Sequence, residues 1–436
     1  MTLRGVNVLY VSIDACRPEF IMEPEKFGLK LPNLAEHFIK NSTYASKGIV
    51  GVFPTATYPC HATMMTGVSP EKHGVHNNTY FDPEGKYLGA WYWYREEKDI
   101  PTLWDLAGRN GYLTANVCWS TSIGARIDYD IPQVWFTFTE LDVKFIDACS
   151  RPQGIVLEME KDIGEYRGSS WDIDGDSSRT KAAIWLLEKK IKPQLAERPF
   201  FMTVYYASYD ELAHKYGTFS PEAKKALEEI DSLVGELVGK AQELTGNNMV
   251  VCIASDHGMM DNVCEARPNT EFYKAGLIKL DEKGKLLDWD VYMQRAGGTC
   301  IIRLKNPEDK AVRSKVESIL ERLATDPAKG ISRLLTKEQC IKELNGYSKA
   351  DYVLIGKAGY EFREDMQGEY LNYDLTNVAQ HGYTEHHPEM RSIWLIQGPN
   401  IKQNHDLGEG KLLDLAPSLA KIMGFEIPGA EGKSLV

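Results

Sequence analysis

The side chains best able to do chemistry fall in four short segments. Asp14 closes an apolar run in Ile13-Asp14-Ala15-Cys16-Arg17-Pro18, and Asp210 and His214 lie in Ser208-Tyr209-Asp210-Glu211-Leu212-Ala213-His214. Asp256 and His257 follow Ala254-Ser255, and His381 sits in Gln380-His381-Gly382-Tyr383. Singly, each reads as ordinary: an aspartate at a strand end caps helices, and a buried histidine satisfies nearby backbone. Together they are three carboxylates and three imidazoles without a thiolate, a donor set that suits borderline divalent ions, zinc first and manganese next. Shared between two ions, six ligands leave each about three and an open position for substrate.

A nucleophile is the missing ingredient. Phe53-Pro54-Thr55-Ala56-Thr57-Tyr58-Pro59-Cys60-His61 reads as a loop entering a helix, with Thr57 at the entry. A hydroxyl becomes a competent nucleophile when a divalent ion lowers its pKa and a helix N-terminus favours the alkoxide. Without the metal donors, Thr57 reads as a simple N-cap.

The elements that must position these residues alternate between β-branched runs and helical stretches, the pattern of an α/β fold whose mainly parallel sheet lies between helices. Strands are predicted at Val8 to Ile13, Leu113 to Cys118, Phe200 to Tyr206, Met249 to Ala254 and Ile393 to Ile396. Open α/β sheets bind ligands at the carboxyl ends of their strands, where the donor segments fall. The helix read most readily starts with Ser220 as N-cap and Pro221 in its first turn, buries Ala223, Leu227, Ile230, Val234 and Leu237 on one face, and stops at Gly246. A strand, helix, helix, strand pattern at Thr299 to Leu304, Glu308 to Ala324, Lys337 to Leu344 and Tyr352 to Gly356 reads as an inserted α+β lobe. We therefore expect a catalytic core at 1–265 and 375–436 and a cap lobe at 266–374.

Composition narrows the function. At 436 residues, 43% apolar and 26% charged, the chain is long enough for a large core and a second lobe and is not of disordered composition. Its net charge of −12 argues against a polymeric nucleic-acid partner. No apolar run reaches the roughly 18 residues that span a bilayer, and Met1-Thr2-Leu3-Arg4 leads directly into an apolar segment ending in acid, so a cytoplasmic protein without a membrane span is expected. The eight cysteines lack regular spacing and read as reduced core thiols.

Asp14 with Arg17-Pro18, the segment Pro54 to Pro59 with His61, Thr66-Gly67 through Pro70, His73-Gly74, Asn78, Asp210 with His214-Lys215-Tyr216-Gly217, Ser255 to Met259 and His381-Gly382-Tyr383 occur in that order. This series resembles the nucleotide pyrophosphatase/phosphodiesterase (type I phosphodiesterase) family of the alkaline phosphatase superfamily. The resemblance implies an alkaline-phosphatase-like core and two zinc ions. Asp210, His214 and His381 match the ligands of one ion; Asp14, Asp256 and His257 match those of the other, with Thr57 as nucleophile beside it. Asn78 falls where the family places an amide on a non-bridging phosphate oxygen. Cys60 departs from the family's usual asparagine, and the segment from 261 to 380 has no motif-level match. Two divalent ions, three carboxylates and one alkoxide sum to zero charge, which favours a monoanionic diester over a dianionic monoester; an arginine or lysine from the inserted lobe would shift that balance. The expected substrate is a small phosphodiester of nucleotide type. A phosphomonoesterase, a phosphonate hydrolase and a metal-stabilised binding protein without turnover are the alternatives.

Three motifs are set aside. Gly432-Lys433-Ser434 lacks the first glycine of a P-loop, and Asp172, Asp174 and Asp176 lack the glycine and glutamate placement of a calcium loop. Trp91-Tyr92-Trp93-Tyr94 can stack a nucleobase, although packing is the first use of such residues.

Overall fold

The computed structural model describes residues 5–94, 100–135, 142–246, 248–345 and 347–436, so the opening tetrapeptide lies outside it. Its central sheet has eight strands: β1 Asn7–Ile13, β2 Thr43–Tyr44, β3 Leu113–Val117, β4 Tyr129–Ile131, β5 Phe200–Tyr206, β6 Met249–Ala254, β7 Trp394–Gln397 and β8 His405–Asp406. They lie in the order β8-β2-β7-β6-β1-β5-β3-β4. β1 runs parallel to both neighbours, with Ile13 opposite Tyr206 and Ser12 opposite Ala254. β3 is parallel to β5 and β4, whereas β7 is antiparallel to β6 and β2. Strands buried on both faces need continuous apolar sequence rather than alternation, and every residue of β1, β5 and β6 is buried. Because β5, β1 and β6 are neighbours in register, the residues after Ile13, Tyr206 and Ala254 emerge side by side.

Four helices carry or brace the donor segments: α1 Thr57–Thr66, α2 Ile173–Trp185, α3 Ser208–Tyr216 and α4 Pro221–Thr245. The Ser220 side chain accepts from the Ala223 amide to start α4, as the sequence predicts. α2 begins where the calcium-like aspartates lie, and Asp172 is its N-cap, accepting from the Gly175 amide at 2.8 Å.

A second, antiparallel sheet joins Val291–Arg295, Thr299–Leu304, Tyr352–Gly356 and Ile331–Thr336 in that order. Its first and last strands were not read from the sequence. The period-two alternation of a strand sends side chains to opposite faces: Cys300, Ile302 and Leu354 pack with Val316, Leu320 and Leu323 of the helix Lys310–Thr325. Ile301, Val353 and Ile355 pack instead with Cys340 of the helix Lys337–Glu343 and with Phe53, just before α1. Both faces are thus buried, one of them against the segment that carries Thr57. All eight cysteines are free thiols, and seven are buried. Among the described residues no helix is long and apolar enough to cross a membrane.

Candidate metal centre

Thr57 is the first residue of α1, and the N-cap position belongs to Ala56, which offers no side-chain cap. The hydroxyl is therefore free of the capping duty that the sequence alone allows it, and it lies 3.3 Å from His257 Nε2. Behind it, His61 is held between two elements. Its Nδ1 donates to the Thr57 carbonyl at 2.8 Å, and its Nε2 accepts from Ser12 of β1 at 2.9 Å. Burial pushes the His61 pKa down, in keeping with a ring that donates at one nitrogen and accepts at the other. The Asn78 Oδ1 accepts from the Tyr58 amide at 2.9 Å, so the group this side chain has left to offer is its amide nitrogen.

The strand ends bring the expected donors together. Ligand atoms of Asp14, Asp256 and His257 lie within 4.8 Å of one another, and so do those of Asp210, His257 and His381. His214 joins the second group through Asp210, with Nε2 3.2 Å from the carboxylate. His257 stands on the seam: its Nε2 is 3.4 Å from Asp14 Oδ1 and 3.3 Å from Asp256 Oδ2, while its ring stacks on His381 at 4.0 Å.

Each imidazole is oriented in the same way. Nδ1 of His214 faces the Ala379 carbonyl at 2.8 Å, Nδ1 of His257 faces the Gly258 carbonyl at 3.1 Å, and Nδ1 of His381 faces the Thr55 carbonyl at 3.0 Å. A carbonyl only accepts, so Nδ1 carries a proton and Nε2 is the nitrogen left to face a cation. The carboxylates fit the same purpose. Tyr205 donates to Asp14 Oδ2 and the Ala15 and His257 amides donate to Asp256 Oδ1, yet Asp14 Oδ1, Asp210 Oδ1 and Asp256 Oδ2 are buried and make no hydrogen bond. Burial, and then the charges of Asp210 and Asp256, raise the Asp14 pKa well above the carboxylate range. Burial also works against ionised Asp210, but His214 beside it holds that carboxyl down to about 2, and Asp210 in turn raises His214 to about 9 against its own burial. Crowded carboxylates with unfilled lone pairs and three outward-facing imidazole nitrogens fit divalent cations of zinc type.

These groups open on a recess of about 420 Å³. One wall is aromatic, with Trp135 and Trp171 rings 4.5 Å apart and Trp91 5.7 Å from Trp171. Of the tryptophans in the aromatic stretch, Trp91 lines the recess while Trp93 is buried with Ile123 and Val134. Lys215 and Glu211 of α3 and Arg295 of the second sheet also line it. The second sheet's corner seats His381 closely: the Gly298 amide donates to the His381 carbonyl at 2.9 Å. A Cβ on Gly382, at φ +77, would fall 1.5 Å from the Ala296 carbonyl oxygen, which only glycine avoids. Sequence reasoning missed Tyr205, Trp135, Trp171 and Arg295, each of which carries a signal only once its neighbours in space are known.

The sequence matches the family profile of type I phosphodiesterase / nucleotide pyrophosphatase over residues 8–384. The chain belongs to this family. It is 24% identical over 434 residues to ectonucleotide pyrophosphatase/phosphodiesterase family member 7 of Mus musculus, covering 97% of this chain and 84% of that one. It is 23% identical over 432 residues to bis(5'-adenosyl)-triphosphatase ENPP4 of Pongo abelii, covering 96% and 78%. The fold is that of murine ectonucleotide pyrophosphatase/phosphodiesterase 5, with a TM-score of 0.67 at 17% identity over 98% of this chain and 97% of that one. An inactive threonine-to-alanine variant of the murine protein has been solved with AMP, with a TM-score of 0.66. The α/β core is accordingly alkaline-phosphatase-like, and this member of the family is a hydrolase acting on phosphoric ester bonds.

Proposed function

We propose that the chain is a two-zinc phosphodiesterase that cleaves small nucleotide-type diesters through a phosphothreonine on Thr57. The convergence of Thr57 with three carboxylates and three imidazoles whose Nε2 atoms are turned toward them carries the reading. Asp14, Asp256 and His257 would hold one ion, and Asp210, His214 and His381 the other. Bound there, the ions would supply positive charge to the phosphate and lower the pKa of hydroxyls beside them. Thr57 Oγ1 attacks phosphorus in line with the leaving oxygen, and the P–O bond to the leaving group breaks as the bond to Thr57 forms. The Asn78 amide nitrogen donates to a non-bridging oxygen as its charge grows, and the N-terminus of α1 favours the same charge. Water then attacks the phosphothreonine, releasing the monoester and restoring the hydroxyl. Two inversions give net retention at phosphorus.

The recess beside Thr57 suits a flat base stacked on Trp91, Trp135 and Trp171, and the complex of the murine relative with AMP supports trying nucleotides first. The division into a core at 1–265 and 375–436 and a lobe at 266–374 belongs to the same proposal, with the lobe supplying Arg295 to the substrate wall.

One observation favours a second reading. Lys215 and Arg295 face the recess against Glu211, giving the positive charge that a dianionic monoester needs. Rates on bis-p-nitrophenyl and p-nitrophenyl phosphate, measured with metal content on one preparation, separate the two. Diester preference with about two zinc ions per chain supports the proposal; monoester preference replaces it, and absence of zinc refutes it.

A further inference from the structure

α3 carries Asp210 and His214, but it has no side chain of its own to cap its start, because its N-cap residue is Ala207. Orphan amides at a helix start need acceptors, and here two of them find one on α2. Asp176 Oδ1 accepts from the Ala207 amide at 2.9 Å, and Oδ2 accepts from the Ser208 amide at 3.0 Å. One helical turn further along α2, the Arg179 guanidinium donates to Asp176 and, by its other nitrogens, to the Gly168 carbonyl at 2.9 Å and the Ser170 carbonyl. The Ser169 carbonyl between them accepts from Trp135 Nε1 at 3.1 Å. Ser170 is followed directly by Trp171, on the aromatic wall. The guanidinium also lies 5.8 Å from the ring of Tyr205, the residue that donates to Asp14. Asp176 and Arg179 are both fully buried. A buried ion pair rarely repays its desolvation as stability, so its position between the aromatic wall and the donor helix calls for another use.

We propose that Asp176 and Arg179 form a positioning unit that ties the aromatic wall of the recess to α3, so that one buried joint sets both the stacking surface at Trp171 and the placement of Asp210 and His214. The assignment rests on the proposed function for what binds at each end. The two halves of the joint predict different losses. Arg179→Lys keeps the charge but gives up the fork that holds Gly168 and Ser170. It should raise KM for adenosine 5'-(p-nitrophenyl phosphate) about tenfold with little change in kcat, and leave KM for methyl p-nitrophenyl phosphate unchanged, since that substrate brings no ring to the wall. Asp176→Asn keeps the shape but loses an acceptor for the α3 amides. It should weaken zinc about tenfold in competition with a chelator and lower kcat on both substrates. Equal KM effects on both substrates, or none, overturn the first half; wild-type zinc affinity in Asp176→Asn overturns the second.

If either variant fails to fold, hydrogen exchange on the zinc-stripped wild-type chain decides. Protection of the Ala207 and Ser208 amides without metal supports the joint, because Asp176 then accepts from them whether or not an ion is bound nearby. Exchange as fast as that of exposed loop amides overturns it. A wild-type chain that binds no zinc would sink the proposed function while leaving the exchange result to judge the joint.

Discussion

Two groups of buried carboxylates in this protein have opposite surroundings. At the strand ends, Asp14, Asp210 and Asp256 each keep one buried oxygen that makes no hydrogen bond within the protein. In a small three-stranded sheet of Tyr360–Phe362, Cys264–Ala266 and Leu371–Asn372, Glu265 and Glu361 are fully buried and every oxygen is engaged. Glu265 accepts from Asn372, Arg267 and the Thr376 amide; Glu361 accepts from Asn262, Asn377 and Gln380, with Arg295 and Arg363 at 3.4 Å. Burying a carboxylate costs several kcal/mol unless its lone pairs are filled. Glu265 and Glu361 recover that cost from their own chain and act as fastenings, and through Gln380 the second fastens the segment that bears His381. Asp14 does not recover it, and all three aspartates keep an unfilled buried oxygen, which fits residues arranged for a cation.

This contrast predicts how the molecule should break. Thr57→Ala should show the largest effect, a loss of kcat/KM of about 10⁴-fold or more with zinc content and melting temperature near wild type, measured by steady-state kinetics, metal analysis and calorimetry. Undiminished hydrolysis would remove Thr57 as the nucleophile. Glu361→Ala should cost about 3 kcal/mol in denaturant unfolding whether or not zinc is present, because it strands Arg295, Arg363 and three amides; a loss confined to the zinc-loaded protein would place Glu361 with the metal donors instead.

Asp14→Asn should act in the other direction on the stripped protein. Removing one of three crowded carboxylates should stabilise the metal-free chain by about 1 kcal/mol while weakening its hold on zinc, and a lower melting temperature without metal would contradict the contrast. A separate effect concerns acid. The Glu265 carboxyl is held down to about 2, against an ordinary value of 4.5, by its donors in spite of burial. A carboxylate with a lowered folded pKa contributes stability above its unfolded value and loses it as pH falls toward the folded one. Denaturation midpoints should therefore drop between pH 4.5 and about 2, and Glu265→Gln should flatten that drop.

Much of this architecture was legible without coordinates. β5 and β6 begin and end where their apolar runs do, and α4 obeys its Ser220-Pro221 start, because strand and helix periods are local properties of sequence. β7 lies one residue beyond its apolar run, since its pairing with β6 rather than its own composition decides where it starts. The strands Val291–Arg295 and Ile331–Thr336 were missed: each is interrupted by Gln294 and Arg295 or by Ser332 and Arg333, and only pairing with the sheet's central strands makes them strands.

The sequence by itself therefore determined the residue types of the candidate centre, their location after strands and the place of Thr57 at a helix start, since these follow from composition and short-range periodicity. Tertiary packing alone decided that three Nδ1 atoms meet carbonyls, that His257 stands between both donor groups, and that tryptophans from three separate segments form one wall. It also decided that α3 takes its cap from a helix 31 residues earlier. Such meetings depend on directions and distances through space, which spacing along a chain does not encode.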